Sequence, residues 1–282
     1  MARTREWYLQ YHDVKHGRNW RSWPLIRHVR GMGLRRLRPF GDGRQDHLSV
    51  IRYYWADFLE AHRGDVRGCG LEIGETATIR YYGGDALEQA DALDLAPHSP
   101  EVRVVANLAR AGAVPGEQYD CFLVQFTTNV IYDIPSALYH AIRLLKPGGV
   151  LLTNFWSTDF YFADGLDMGT GAPLYMHWFF TPIQVENLLL GLGLARSDYA
   201  LSVYGNLLAK TAFLMNLPAR ELTPAERETR DPGQPLLICA RVVRPLHWDS
   251  PAPPEVEPRW LPAGPPLHIN PVTGHFGDAY LR

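Results

Sequence analysis

Cysteine is scarce in this chain: three residues in 282, Cys69, Cys121 and Cys239. All three fall at or inside apolar segments that read as strands, and none forms the close pair that, with a second pair, would hold zinc. They are expected to be small buried hydrophobes. Lysine is scarcer relative to its partner type, three residues against twenty-five arginines. That bias is read as coding composition, because arginine's bidentate geometry matters only at particular sites. No run of eighteen or more apolar residues occurs, so no helix of the kind that crosses a bilayer is expected. The opening MARTREWYLQYHDVKHGR carries charge and aromatics where a signal peptide needs an apolar centre, which predicts a soluble, cytoplasmic protein. A net charge of −2 gives no overall pull toward nucleic acid or an anionic membrane. There are no internal repeats.

At 46% hydrophobic and 21% charged residues, the chain can bury a full core. The expectation is one α/β domain, residues 45–244, with an N-terminal extension over residues 1–44 and a C-terminal arm over residues 245–282. The N-terminal extension carries eleven Lys or Arg against three acids, interleaved with Trp7, Tyr8, Tyr11, Trp20 and Trp23. Basic residues with aromatics suit a polynucleotide or a phosphorylated substrate. The plainer reading is a segment whose aromatics pack on the domain as a cover for a pocket, and that is the one favoured. Beyond Arg244 proline is too dense for regular helix or sheet. Trp248, Trp260, Leu267, Ile269, Phe276 and Tyr280 are nevertheless too apolar for a free tail, which implies an arm packed on its own subunit or on a partner, a homodimer through the arm included.

Between the two extensions the apolar pattern alternates between strands and helices. Leu48–Arg63 places Ile51, Trp55, Phe58 and Leu59 on one helical face. Leu71–Ile73, Leu87–Leu95, Val102–Leu108, Phe122–Phe126 and Val150–Phe155 read as five strands. Ser136–Leu145 reads as a helix stopped by Lys146-Pro147, since proline excludes helical geometry at the residue before it. A further helix is expected from Thr181, as N-cap, with Pro182 at the first helical position and Gly193 where it ends. Two last strands, Tyr199–Tyr204 and Leu236–Val243, flank an apolar helix over Asn206–Met215.

Three stretches carry a family likeness: LEIGETATIRYYGGD from Leu71, QYDCFLVQFTTNVIYDIPSALYHAIRLL from Gln118, and KPGGVLLTNFW from Lys146. In this order they resemble the class I S-adenosylmethionine-dependent methyltransferases. The lead-in Arg52-Tyr53-Tyr54, Phe58-Leu59 and Asp65-Val66-Arg67-Gly68 is similar to a bacterial branch often found beside glycosyltransferases. The resemblance implies a Rossmann-like methyltransferase fold: a mostly parallel seven-stranded sheet with an antiparallel last strand and helices on both faces. It implies S-adenosylmethionine as cofactor, held in the loop after the first strand at the carboxyl edge of the sheet. In that family the loop is an acidic residue followed by a glycine-rich turn; here it runs Glu72, Ile73, Gly74, Glu75, Thr76, so one glycine remains and Thr76 stands in for lost contacts. The acid at the end of the second strand holds the ribose diol, with Asp91 the better match and Asp94 the second. Asn107 and Leu108 at the third strand face the adenine, and Gln125 opens the segment that lines the pocket after the fourth.

For the chemistry, His177 has the pKa of a general base and lies where this family shapes its acceptor pocket, although a packed histidine would look the same. Asp133 is the other candidate base, against the plainer role of a helix cap near Pro135. Tyr132, Tyr161, Tyr175 and Trp178 suit a flat or sugar-like acceptor. Asp159, Asp164 and Asp167 are read as solvated loop acids, and no metal is expected. The leading functional reading is methyl transfer to oxygen or nitrogen of a small molecule, a sugar or specialised metabolite of natural product biosynthesis. The alternative is a protein of this fold that transfers no methyl group: a cyclase, lyase or isomerase, or a non-catalytic partner. Methylation of nucleic acid is disfavoured, since the Asn/Asp-Pro-Pro-Tyr signature of amino-directed base methylation is absent.

Overall fold

The computed structural model describes residues 48–158, 165–166 and 173–258. The N-terminal extension to Arg44, the loop residues Asp159, Tyr161, Asp164 and Asp167, and the arm beyond Pro258 lie outside the described residues. A seven-stranded sheet organises what is described, with β1 Gly68–Ile73, β2 Leu87–Asp94, β3 Val102–Val105, β4 Tyr119–Val124, β5 Leu145–Trp156, β8 Tyr199–Tyr204 and β9 Leu237–Val243. Two-residue segments β6 Gly165–Leu166 and β7 Pro173–Leu174 pair separately. The order across the sheet is β3-β2-β1-β4-β5-β9-β8. Strands β1 to β5 are mutually parallel, and β9 runs antiparallel to both its neighbours. This is the Rossmann-like, mostly parallel arrangement expected from the sequence. From β1 the chain builds outward to β2 and β3, then returns to the other side of β1 for β4 and β5. The order therefore reverses between β1 and β4, where an open parallel sheet leaves a crevice at its carboxyl edge.

Strand side chains alternate between two cores. Cys121, Leu123, Val150, Leu152, Leu237 and Cys239 face one side, with helices α1 Val50–Ala61, α2 Ala77–Gly83 and α5 Leu207–Leu214. Leu71, Phe122, Leu151, Ile238, Ala240 and Val242 face the other, with α3 Ile134–Leu144 and α4 Pro182–Gly191. All three cysteines are free, and Cys121 and Cys239 are buried. Helix α1 is capped by Ser49 and buries Val50, Ile51, Tyr53, Tyr54, Trp55, Phe58 and Leu59, far more than one stripe. Helix α4 starts as expected, with Thr181 and Gln184 forming a reciprocal capping box and Pro182 at its first position.

Lys146-Pro147-Gly148-Gly149 departs from the sequence expectation. It lies inside β5 rather than ahead of it, as an irregularity where the register against β4 jumps from Tyr119↔Leu145 to Cys121↔Val150. Gly148, at φ 80°, permits that local distortion. The third strand is also shorter than expected, because the chain turns at Asn107, whose side chain accepts from the Ala109 amide and starts a 3₁₀ turn over Leu108–Ala113.

Lys146 and Asp120 tie three strands together at the amino edge. The Asp120 carboxylate accepts from the Lys146 ammonium at 2.7 Å and from the Cys69 amide at 2.8 Å. Burial pushes the Asp120 carboxyl up, but those two hydrogen bonds outweigh it and leave the group below its ordinary 3.8. A depressed carboxyl contributes stability above its unfolded value, and that contribution disappears as pH falls through the folded one. Asp120→Asn should therefore unfold at lower denaturant than the parent at pH 7, with the gap closing below about pH 3.8. Urea midpoints across pH 2.5–7 test it; a pH-independent gap would show that Asp120 acts by another route.

Candidate functional site

A cleft of 520 Å³ opens at the carboxyl ends of β1, β2, β3 and β4, within the range of about 300–1,000 Å³ usual for small-molecule sites. Ile73, Gly74 and Glu75 line it from β1, Leu93, Asp94 and Leu95 from β2, and Ala106, Asn107 and Leu108 from β3. Gln125, Phe126 and Thr127 line it from β4. Gly74 has φ 82°, a conformation strained for any residue with a side chain, and its amide bonds to the Leu93 carbonyl at 2.9 Å. A Cβ built on Gly74 would meet Asp94 Oδ2 at 3.8 Å, so that carboxylate oxygen stands beside the turn.

The floor is a buried polar network. Glu72 is fully buried; its Oε2 accepts from the Ile79 amide at 2.8 Å and its Oε1 from Gln125 Nε2 at 2.6 Å. The Gln125 amide also donates to Thr78 Oγ1 at 2.9 Å, and its carbonyl accepts from the Trp55 indole at 2.7 Å. Phe126 follows in a left-handed conformation, φ 53°, held by its amide bonding to Asn154 Oδ1 at 2.9 Å. A bulky residue held at positive φ is an observed strain of the kind that clusters at functional sites.

At the far end stand Tyr132, Asp133, Tyr175 and His177. Asn129 puts His177 there. Its carbonyl accepts from the His177 amide at 2.8 Å, and its buried side chain bonds to the Trp156 amide and the Trp178 carbonyl. The imidazole meets the Tyr132 ring edge-on at 5.3 Å. Burial lowers its pKa below the ordinary 6.5, so the ring is neutral at pH 7 and able to accept a proton.

A side wall comes from the C-terminal arm. Val256, Glu257 and Pro258 line the cleft, latched by Arg110. That guanidinium donates to Glu257 Oε1 at 2.8 Å, to the Val256 carbonyl at 3.0 Å and to Asp133 Oδ2 at 2.7 Å. Asp133 Oδ2 also accepts from the Val256 amide at 2.9 Å. Upstream, the Trp248 indole donates to the Leu192 carbonyl and rests on Tyr139, so this part of the arm lies along its own domain.

Against the sequence expectations, the cleft gathers Gly74, Asn107, Leu108, Gln125, Tyr132, Asp133, Tyr175 and His177 and leaves four others out. Asp91 pairs with Leu71 in the sheet register, short of the strand end at Ile73. Its Oδ2 accepts from Gln89 and Tyr119, and its Oδ1 makes no hydrogen bond but lies 3.2 Å from the Arg103 guanidinium as an ion pair. Asp94 replaces it at the edge. Thr76 is buried and donates to Glu101 at 2.8 Å, away from the cleft. Glu72 lies beneath the floor. Trp178 points its indole N–H at the Ile131 and Tyr132 carbonyls and buttresses Tyr132 from behind. Asp133 lines the cleft but caps α3 at Ser136. Burial raises its carboxyl, while the Val256 amide, Arg110 and Ser136 together pull it below its ordinary value, which makes it a poor base. Tyr161 lies outside the described residues. Sequence reasoning missed Arg52, Leu95, Arg110 and Val256–Pro258. Among the described residues no group of His, Cys, Asp and Glu is arranged to hold a metal ion, and no helix is long and apolar enough to cross a membrane.

No protein-family model matches the chain, and no curated protein matches it. Among solved structures it is similar to the Burkholderia thailandensis 1,6-didemethyltoxoflavin-N1-methyltransferase, at 14% identity over 70% of this chain and 78% of that one, TM-score 0.40. It is similar to an S-adenosylmethionine-dependent methyltransferase of Mesorhizobium loti, at 13% identity over 70% and 98%, TM-score 0.42. A third, from Thermotoga maritima, matches at 16% identity over 69% and 91%, TM-score 0.40. With TM-scores this low, the functional reading rests on the cleft's own geometry.

Burial raises the Glu72 carboxyl from 4.5 to about 8, against the lowering effect of its bonds with Ile79 and Thr78. Since the folded state then holds a proton that the unfolded state has lost, stability falls as pH rises through that window, by at most about 1.4 kcal/mol per pH unit. Glu72→Gln cannot ionise. Its stability should decline less between pH 5 and 8 than the parent's, as read from denaturant midpoints. Parallel curves would mean that Glu72 is ionised when folded.

Proposed function

We propose that this chain is an S-adenosylmethionine-dependent methyltransferase acting on oxygen or nitrogen of a small molecule, with a sugar or specialised metabolite as the acceptor class. The observation that carries the reading is the succession along the cleft: a positive-φ glycine after β1, a carboxylate at the end of β2, and an amide beside apolar side chains after β3, all at the switch point of the sheet. A nucleoside with a polar tail fits that order. Asp94 Oδ2 is the acceptor for a ribose diol, Leu95, Ala106 and Leu108 flank a base, and Asn107 offers an amide to its edge.

When bound, the cofactor supplies an electrophilic methyl group on a sulfonium sulfur. The chain's own part is to align the acceptor and take its proton. Tyr132 and Tyr175 form walls for a flat or sugar-like molecule, and the strap over Val256–Pro258 keeps water from one side. His177, neutral and facing the same space, is the general base. A second reading has one observation in its favour: Thr76, which would otherwise add a polar contact at the shortened turn, bonds to Glu101 instead. It is a protein that binds the cofactor without consuming the methyl group.

Isothermal titration with S-adenosylhomocysteine tests the site. Asp94→Ala and Gly74→Val should each weaken binding at least tenfold, about 1.4 kcal/mol, whereas Asp91→Asn should stay within about twofold of the parent. Equal losses at Asp91 and Asp94 would place the nucleoside elsewhere. Formation of S-adenosylhomocysteine from S-adenosylmethionine with an acceptor present separates the two readings.

For the base, activity requires the neutral imidazole, so the rate should rise with pH through a value below 6.5 and then level off. His177→Gln should lower the chemical rate roughly a hundredfold and abolish that acid limb while leaving cofactor affinity unchanged. A variant that keeps the rate but melts at lower temperature would make His177 a packing residue.

A further inference from the structure

The C-terminal arm meets the domain in two unlike places. Trp248 is half-buried: its indole donates to the Leu192 carbonyl at 2.9 Å, its ring lies 5.2 Å from that of Tyr139, and the Arg244 guanidinium stands over it at 5.7 Å. Further on, Val256 meets Arg110 and Asp133 at the cleft. Between these two places, residues 249–254 make no hydrogen bond or ion pair among the described residues. Pro251, Pro253 and Pro254 fall in that span, and a fixed φ at each makes it a stiff strut rather than a slack tether.

The far end of the strut is fastened almost wholly by polar contacts. Arg110 donates to Glu257 Oε1 and to the Val256 carbonyl and pairs with Glu255 at 3.1 Å, while Asp133 Oδ2 accepts from the Val256 amide. Both glutamate side chains are 63% exposed and Val256 is 48% exposed; of residues 255–258 only Pro258 is buried. Exposed ion pairs of this kind are weak and are screened by salt. The domain side of the latch, moreover, is complete without the arm. Arg110 Nη1 reaches Asp133 Oδ2 at 2.7 Å and the Ala109 carbonyl at 2.8 Å, and Asp133 Oδ1 accepts from the Ser136 amide at 3.2 Å. Release therefore leaves no buried charge unpaired, and water replaces the bonds of the exposed glutamates. Lifting Trp248 would instead bare an aromatic face.

We infer that residues 249–258 form a releasable strap, anchored at Trp248 and latched by Arg110, that swings off the cleft to admit and discharge its ligand. Its place suits the task, since the strap bonds both to Arg110, in the turn after β3, and to Asp133, at the start of α3, and its last three residues line the cleft. Arg110 is then a positioning residue that acts through the arm. The wall described above becomes a gate. The ligand chosen for the test rests on the nucleoside reading; the release of the strap does not.

A wall and a gate differ in kinetics. A group that only touches bound ligand alters its dissociation, whereas a gate governs entry as well. Stopped-flow binding of S-adenosylhomocysteine to the full chain should show association and dissociation both accelerated in the double variant Glu255→Ala/Glu257→Ala, by about fivefold. Raising salt from about 0.1 M to about 1 M shortens the screening length from about 10 Å to about 3 Å. That change should accelerate both rates in the parent and alter the variant little. Faster dissociation with unchanged association would make the arm a wall alone and overturn the inference, as would two unchanged rates. Hydrogen exchange at the Val256 amide reads the latch without any ligand: it should be faster than at the amides of β5, and faster again in the variant. If the parent binds no S-adenosylhomocysteine, the nucleoside reading falls and this amide alone decides. Protection equal to that of β5, and unaltered in the variant, then overturns the strap. Because both glutamates are exposed, the variant is expected to keep the parent's melting temperature.

Discussion

The cleft depends on one buried carboxyl. Glu72 sits near the end of the central strand, with no exposure to water, and joins four elements: β1 through its own backbone, α2 through the Ile79 amide, β4 through Gln125, and α1 through Gln125 to Trp55. Burying an acid carries a desolvation cost that only hydrogen bonds offset. Burial accordingly raises the group to about 8. A buried carboxyl bonded at both oxygens is a stiff junction, because each partner removed leaves a buried polar atom without one. The direction of Gln125, and hence where the chain leaves β4 for Phe126 and Thr127, follows from it.

A second junction serves the acceptor end. Asn129 and Asn154, both buried, hold loop backbone rather than ligand. Asn154 takes the Phe126 amide on its side-chain oxygen, and the Asn129 side chain takes the Trp156 amide and donates to the Trp178 carbonyl, on either side of the His177 amide that its backbone carbonyl accepts. Side-chain amides suit this task, since each offers donors and an acceptor to backbone groups that a loop would otherwise leave unpaired. The floor and the far wall are therefore both fixed by polar groups beneath the surface, while the surface facing the cleft is left to glycine, aromatics and a few charged groups.

Local signals made much of this fold legible in the sequence. The capping of α4 by Thr181 and Pro182, the apolar face of α1 and strands β8 and β9 are each written within a dozen residues. The signals failed where a neighbour at long range decides. Two aspartates three apart on β2 look equivalent until the pairing of Leu71 with Asp91 shows which one reaches the edge. Lys146–Gly149 reads as a connection, and only the register against β4 absorbs it into a strand. Arg110 carried no signal at all, because its partner Glu257 is 147 residues away. Thr76 belongs to the loop that the resemblance assigns to the cofactor and Trp178 to the aromatic stretch expected around the acceptor, but side-chain direction turns both away from the cleft.

That distance between Arg110 and its partners bears on how the molecule is made. A chain leaves the ribosome amino end first, at about 5–20 residues per second. Val256 follows Asp133 by 123 residues, an interval of roughly 6–25 s at that pace. During it the residues of the glycine turn and Asp94 have been made, but those of the wall at Val256–Pro258 have not. Until it arrives, Asp133 and Arg110 lack their Val256 and Glu257 contacts, and the cleft lacks that wall. The last of the cleft's lining residues to be synthesised are therefore those of the arm.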